Sequence, residues 1–239
     1  MERVTEQAPR FFVCISEWIS STRESVGFIV YGIRMNILQN NPYRLLGVYS
    51  NSPTKERLAN HNRMKAFLKV GKSVSFPLDV PQYLSSINRT ESSAADAEAK
   101  LTLPKDQILH AQFWFIKTTP LDEVAFNHLF AGEIDKAEEI WQKRECLSAL
   151  QNRIVCALIR NRYDSAIKCA EVLYGNTQYL NQFVSTIIGT GVNFDVSNLA
   201  FSFLDILCDE IGASKLLPFI ANSSWKEHIG EKAVKPLID

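Results

Sequence analysis

Two stretches of the chain can be laid over one another: Gly132-Glu-Ile134-Asp-Lys-Ala137 and, 29 residues later, Asn161-Arg-Tyr163-Asp-Ser-Ala166. Each begins with a small residue that can close a helix and carries an alanine a few positions on. Each then runs into an apolar segment at helical spacing, Ile140 and Trp141 in the first, Ile167, Ala170, Leu173 and Tyr174 in the second. A turn closed by a small residue, followed by an alanine that lets the next helix approach its neighbour, is what stacked helix pairs need. Thr119-Pro120-Leu121-Asp122-Glu123 marks where this region starts: a capping threonine, a proline in the first turn and acids against the positive end of the helix dipole. Gly175 closes a third helix, and Gly189-Thr-Gly191 marks a turn before helices over Val196–Ile211 and Lys215–Ala221. No window shows the sustained alternation of a half-buried strand, and 10 Gly with 9 Pro is too few for a turn-dense all-β sandwich. The fold class is read as all-α.

The 46% apolar and 22% charged residues can bury a real core. Lys plus Arg equals Asp plus Glu at 26 each, which removes net charge as a driver of nucleic-acid or membrane binding. Five cysteines at 14, 146, 156, 169 and 208 form no CxxC pair, so no zinc knuckle or dithiol motif is offered, and reduced thiols in a cytoplasmic protein are expected. The four histidines, 61, 110, 128 and 228, fall in no metal-binding spacing, and neither a metal nor a cofactor is expected. Residues 1–40 read as one or two helices with aromatic anchors at Phe11, Trp18, Phe28 and Tyr31, and their mixed charge argues against a membrane-surface helix. No apolar run reaches the roughly 18 residues a membrane span needs.

Residues 41–118 read as one unit. Pro42 opens a short helix carrying Tyr43, Leu45 and Leu46, which stops at Gly47. Ser52-Pro53-Thr54 starts a second, running to about Val70 and ending at Gly71; on it Lys55, Lys65, Lys69 and Lys72 share a face while Met64, Phe67 and Val70 point away. An alanine-rich helix over 82–101 follows, and Pro104 begins another that carries Ile108, Leu109, Phe113, Trp114, Phe115 and Ile116. Ala66-Phe-Leu-Lys-Val-Gly71-Lys72-Ser73 fits a relaxed phosphate-loop pattern, but that loop must join a buried strand to a helix N-terminus. Here a basic helix precedes Gly71, so Gly71 is read as a helix cap and no nucleotide is assigned.

Charge is unevenly spread. Between 41 and 72 there are seven bases (Arg44, Lys55, Arg57, Arg63, Lys65, Lys69, Lys72) against Glu56, about +6. Between 119 and 145 there are seven acids (Asp122, Glu123, Glu133, Asp135, Glu138, Glu139, Glu145) against Lys136, Lys143 and Arg144, about −4. A basic face over 41–72 would dock an acidic partner steered by that field. The acidic carboxylates are expected on a solvated face.

Asn41-Pro-Tyr43-Arg-Leu-Leu46-Gly47-Val48, then the capped basic helix, a loop and the Ala-rich helix, resembles a degenerate J domain. The resemblance implies a helical hairpin whose first arm is basic and whose tip, in the family, carries His-Pro-Asp and activates the seventy-kilodalton heat-shock chaperone. Here the loop reads Phe76-Pro77-Leu78-Asp79: Pro77 and Asp79 remain in spirit, the His is absent, and the family's chemistry is carried onto no residue. Beyond 119 the chain resembles tetratricopeptide-type repeats, with a period of 29 in place of about 34. The resulting division is 1–40, an N-terminal helical segment; 41–118, a J-like helical hairpin module; and 119–239, a short array of antiparallel helix pairs. The expected function is a non-enzymatic interaction module or adaptor with a protein partner. It would bind through Lys55, Lys65, Lys69 and Lys72 and through a repeat groove lined by Trp141 and Tyr163. The alternative is a co-chaperone docking on the heat-shock chaperone through the basic helix. No small-molecule substrate is expected.

Overall fold

Thr119 and Asp122 build the helix start that the sequence announces. A computed structural model of the chain describes residues 35–234, so the aromatic anchors Phe11, Trp18, Phe28 and Tyr31 lie outside the described residues. The Thr119 hydroxyl accepts from the Asp122 N–H at 3.3 Å, and the Asp122 carboxylate accepts from the N–H groups of Thr118 (2.9 Å) and Thr119 (2.8 Å). The other Asp122 oxygen accepts from the Trp141 indole at 2.9 Å, tying the start of the helix Pro120–Phe130 to the end of the helix Ile134–Gln142. The two look-alike turns have the same backbone. Gly132 and Asn161 are both left-handed (φ 82° and 57°), and the next residue donates back five positions, Glu133 to His128 (2.9 Å) and Arg162 to Ala157 (2.8 Å). Ala137 and Ala166 are both fully buried. The same turn therefore folds Pro120–Phe130 onto Ile134–Gln142 and Leu147–Ile159 onto Tyr163–Tyr174 as two antiparallel pairs.

The described residues are all-helical with no strand, and one continuous buried cluster runs from Met35 to Ile229. No helix among them is long and apolar enough to cross a membrane. We number the helices α1 (Asn36–Gln39), α2 (Pro42–Leu46), α3 (Thr54–Lys69), α4 (Glu91–Lys100), α5 (Pro104–Ala111), α6 (Pro120–Phe130), α7 (Ile134–Gln142), α8 (Leu147–Ile159), α9 (Tyr163–Tyr174), α10 (Thr177–Ile188), α11 (Leu199–Ile211), α12 (Ala213–Leu216) and α13 (Ser223–Val234).

The helix begun at Pro104 stops at Ala111, short of the expected run through Ile116. Residues 112–118 cross the core without helix, and Phe113, Trp114, Phe115 and Ile116 are each fully buried. Buried backbone outside a helix must find its hydrogen bonds elsewhere, and here side chains from both flanks supply them. Ser50 donates from its N–H and its hydroxyl to the Phe115 carbonyl, both at 2.9 Å, and Asn51 exchanges two bonds with Lys117. From α8, Asn152 accepts from the Ile116 N–H and donates to its carbonyl, both at 2.9 Å, and the Gln151 amide reaches the carbonyls of Ala111, Gln112 and Trp114. An apolar run reads alike as buried helix or buried extended chain; these amides decide it.

Upstream, Asn41 caps α2 by accepting from the Tyr43 N–H (3.1 Å), and Gly47 ends it at φ 66° with the Phe76 ring packed against its α-carbon. A Cβ there would lie 2.1 Å from Phe76 Cγ. α3 ends as expected: Val70 is its cap, Gly71 is left-handed (φ 71°), and Lys72 N–H reaches the Phe67 carbonyl at 3.0 Å. A helix cap occupies the place where a phosphate loop would need a strand. The Ala-rich helix is shorter than expected. It starts at Glu91, capped by Thr90 and Ser93, because residues 81–89 form a loop that delivers Arg89 into the core.

At the C-terminal end, α11 starts at Leu199, later than expected, and α13 is a helix that sequence reasoning did not place. The Glu171 carboxylate fixes its approach by accepting from the N–H groups of Ala221 (2.7 Å) and Asn222 (2.8 Å), and His228 and Lys232 reach Asp205 on α11.

His110, at the end of α5, has its Nδ1 buried with no partner among the described residues. Burial first, then Lys100, pushes its imidazole down from 6.5 to about 4 against the opposing Asp106. As pH falls, the unfolded chain takes up this proton before the folded one does. The stability that the neutral ring supports is therefore complete above about pH 6.5 and is lost progressively toward pH 4. His110→Gln should flatten this part of the profile. In urea titrations at about pH 7 and about pH 5, the wild-type midpoint falls further than the variant's; equal falls would remove His110 as the cause.

Candidate interaction surface

Lys55, Lys65 and Lys69 are exposed on α3, with Lys72 exposed just past its cap. None has a carboxylate within 4.0 Å among the described residues. α3 commits little of itself to the core: only Arg57 and Met64 are buried. Of the residues expected to point away from the lysines, Met64 is buried, but Phe67 and Val70 are 38% and 67% exposed; Leu58 is 44% exposed. The reason is geometric. At about 100° per residue, Arg57 and Met64 centre the inward face together with Leu68, while Phe67 and Val70 lie well round toward solvent. The helix thus presents lysines with Leu58 exposed among them, and Val70 and Phe67 exposed further round its surface. Arg63 adds a further exposed cation, 5.8 Å from the Phe67 ring centre and 5.9 Å from that of Phe76.

The loop expected at the hairpin tip is built differently. Pro77 is exposed, but Phe76 and Asp79 are buried, and Pro77–Asp79 forms one 3-10 turn. Asp79 closes that turn by accepting from the Phe76 N–H at 3.1 Å and forms a two-pronged ion pair with Arg89. Arg89 also donates to the carbonyls of Leu45 (2.8 Å), Val74 (3.1 Å) and Arg44 (3.0 Å), and its guanidinium lies 4.9 Å from the centre of the Phe76 ring. Arg44 in turn donates to the carbonyls of Asp79, Ser85 and Gln39. The Asp79 carboxylate holds the loop in place and is spent on Arg89 and the Phe76 N–H.

Two further expectations are corrected by burial. Trp141 is fully buried, its indole spent on Asp122, so it lines no groove. Tyr163 is half-buried and donates to Asn161 at 2.9 Å, bracing its own turn. The acidic cluster is not uniformly solvated either. Glu138 is 6% exposed and is gripped by Arg160 (3.1 Å) and, at two oxygens, by Arg162 from the second turn, while Asp135 pairs with Arg160. Counting charge along the sequence therefore overstates the asymmetry. Arg44 and Arg57 are buried, leaving five exposed bases against Glu56; Asp122 and Glu138 are buried, leaving five acids against three bases over 119–145. Each stretch loses two charges to burial, which leaves about +4 exposed on the basic side and about −2 on the acidic one.

Sequence reasoning missed the cleft beside α3. It holds about 630 Å³ and is lined by residues from 73–79 and 81–87 together with Phe130 of α6. No motif marks it, because it arises where two non-helical runs meet a helix from another part of the chain. No family model, no curated protein and no solved structure matches this chain, so its lysine face and cleft are read on their own geometry.

Proposed function

We propose that the chain is a non-enzymatic protein-interaction module, an adaptor of J-domain-like kind, that docks an acidic protein partner on the lysine face of α3. The observation that carries this is the set Lys55, Lys65, Lys69 and Lys72: exposed, without carboxylate partners among the described residues, on a helix that gives the core little. Like charges one turn apart, as Lys65 and Lys69 are, disfavour a helix by a few tenths of a kcal/mol. A cationic face kept at that cost, with Leu58 exposed among the lysines, suits association with an acidic surface that has an apolar contact to offer.

The test is affinity capture from host lysate with mass spectrometry, using wild type and the Lys65→Glu/Lys69→Glu variant at low and high salt. Partners recovered by wild type at low salt should be lost with the reversed face and weakened by salt; recovery that is indifferent to both would overturn the reading. The co-chaperone alternative uses the same helix and is separated by ATP turnover of a purified seventy-kilodalton heat-shock chaperone. With Asp79 turned inward onto Arg89, no rise is expected.

A further inference from the structure

We propose that the cleft beside α3 receives an extended, acidic segment of the partner, held by backbone pairing and by one apolar side chain set against the cleft lining. This rests on the interaction reading above and specifies what the surface takes. The cleft's two walls, 73–76 and 86–87, carry no helix, and the N–H groups of Ser73, Val74, Ser75, Ser86 and Ile87 have no hydrogen-bond partner among the described residues. Two rows of open donors call for a ligand with free carbonyls. A helix spends its carbonyls internally, whereas an extended chain presents them along its edge. Phe76, Val74, Ile87 and Phe130 give the cleft lining apolar side chains against which such a segment can set one of its own. The volume, about 630 Å³, lies within the range of sites that enclose a small ligand or a few side chains.

Charge selects the sequence of such a segment. Lys72 leads directly into the Ser73 wall, and Arg63 stands over the Phe76 ring from the α3 side. Among the described residues, the only carboxylate that lines the cleft, Asp79, is neutralised by Arg89. A segment whose acidic residues alternate with an apolar one would place carboxylates toward these cations and its apolar side chain against the lining, as the two-residue period of an extended chain requires.

Fluorescence anisotropy on the full chain tests this with three short labelled peptides: alternating glutamate–leucine, all-glutamate and alternating lysine–leucine. The glutamate–leucine peptide should bind and the lysine–leucine peptide should not. Ser86→Trp, which fills the cleft from an exposed position, should weaken the glutamate–leucine peptide at least tenfold and leave all-glutamate binding unchanged. Ser75→Trp does the same from the opposite wall, and circular dichroism confirms that both variants stay folded. Lys65→Glu/Lys69→Glu should weaken both glutamate peptides. If both tryptophan variants keep full affinity while lysine reversal abolishes it, the cleft proposal is overturned and the lysine-face reading stands. If the tryptophan variants abolish binding and lysine reversal does nothing, the cleft stands and the lysine reading fails. Failure of the glutamate–leucine peptide to bind wild type overturns the cleft proposal outright.

Discussion

Arg89→Met should lower stability by about 3–5 kcal/mol, the cost of leaving one member of a buried ion pair behind. Arg89 is 6% exposed and satisfies the Asp79 carboxylate and three backbone carbonyls at once, those of Arg44, Leu45 and Val74. For a chain of this length the loss corresponds to a fall in melting temperature of roughly 6–20 °C, readable by calorimetry. Arg89→Lys should fall between, because an ammonium keeps the charge but cannot reproduce the planar fork that reaches four acceptors. The double variant Arg89→Met/Asp79→Leu should recover part of the loss by removing the stranded carboxylate. A melting temperature unchanged in Arg89→Met would show that the network organises nothing.

Asn152→Leu should cost about 2–6 kcal/mol, since it strands two groups at about 1–3 kcal/mol each. Those groups are the N–H and the carbonyl of Ile116, a residue with no exposed surface and no helix to turn to. Leucine approximates the size of asparagine, so the loss reads the hydrogen bonds more than a cavity. Asn152→Asp sharpens the assignment: a carboxylate can still accept from the N–H but gives nothing to the carbonyl and introduces a buried charge. Urea unfolding measures both, and a loss under about 1 kcal/mol in Asn152→Leu would mean that water takes over the amide's role.

The helix pairs after residue 119 were legible because their determinants are local. A capping threonine, a proline in the first turn and a residue able to turn left-handed act within one helical turn, and the match between the Gly132 and Asn161 turns extends to their backbone angles. The α-helical class and the end of α3 at the left-handed Gly71 were legible on the same grounds. What could not be read was long-range. Arg44, Arg57 and Arg89 look like surface cations in a sequence, and Glu138 and Asp122 like surface anions; each is buried by partners tens of positions away or more, or by packing that no local pattern encodes. Phe113 to Ile116 have the composition of a buried helix and become irregular chain only because Ser50, Asn51, Gln151 and Asn152 converge on them. Of the candidate site, the lysines were visible as residues that share one helical face. The cleft was not, since its walls are defined by donors that lack partners.

The crossing of residues 112–118 through the core also bears on how the chain acquires its structure. A helical protein usually gathers its contacts from near neighbours and folds fast because little chain must be looped to make them. Here Ser50 must meet Phe115 across 65 positions, and Asn152 must meet Ile116 across 36, before the intervening peptide groups can leave water. Neither flank alone can complete the set. The helices are free to form early, but the closing of this seam waits on distant loops, which gives a chain of helices the folding topology, and the slower pace, of a mixed fold.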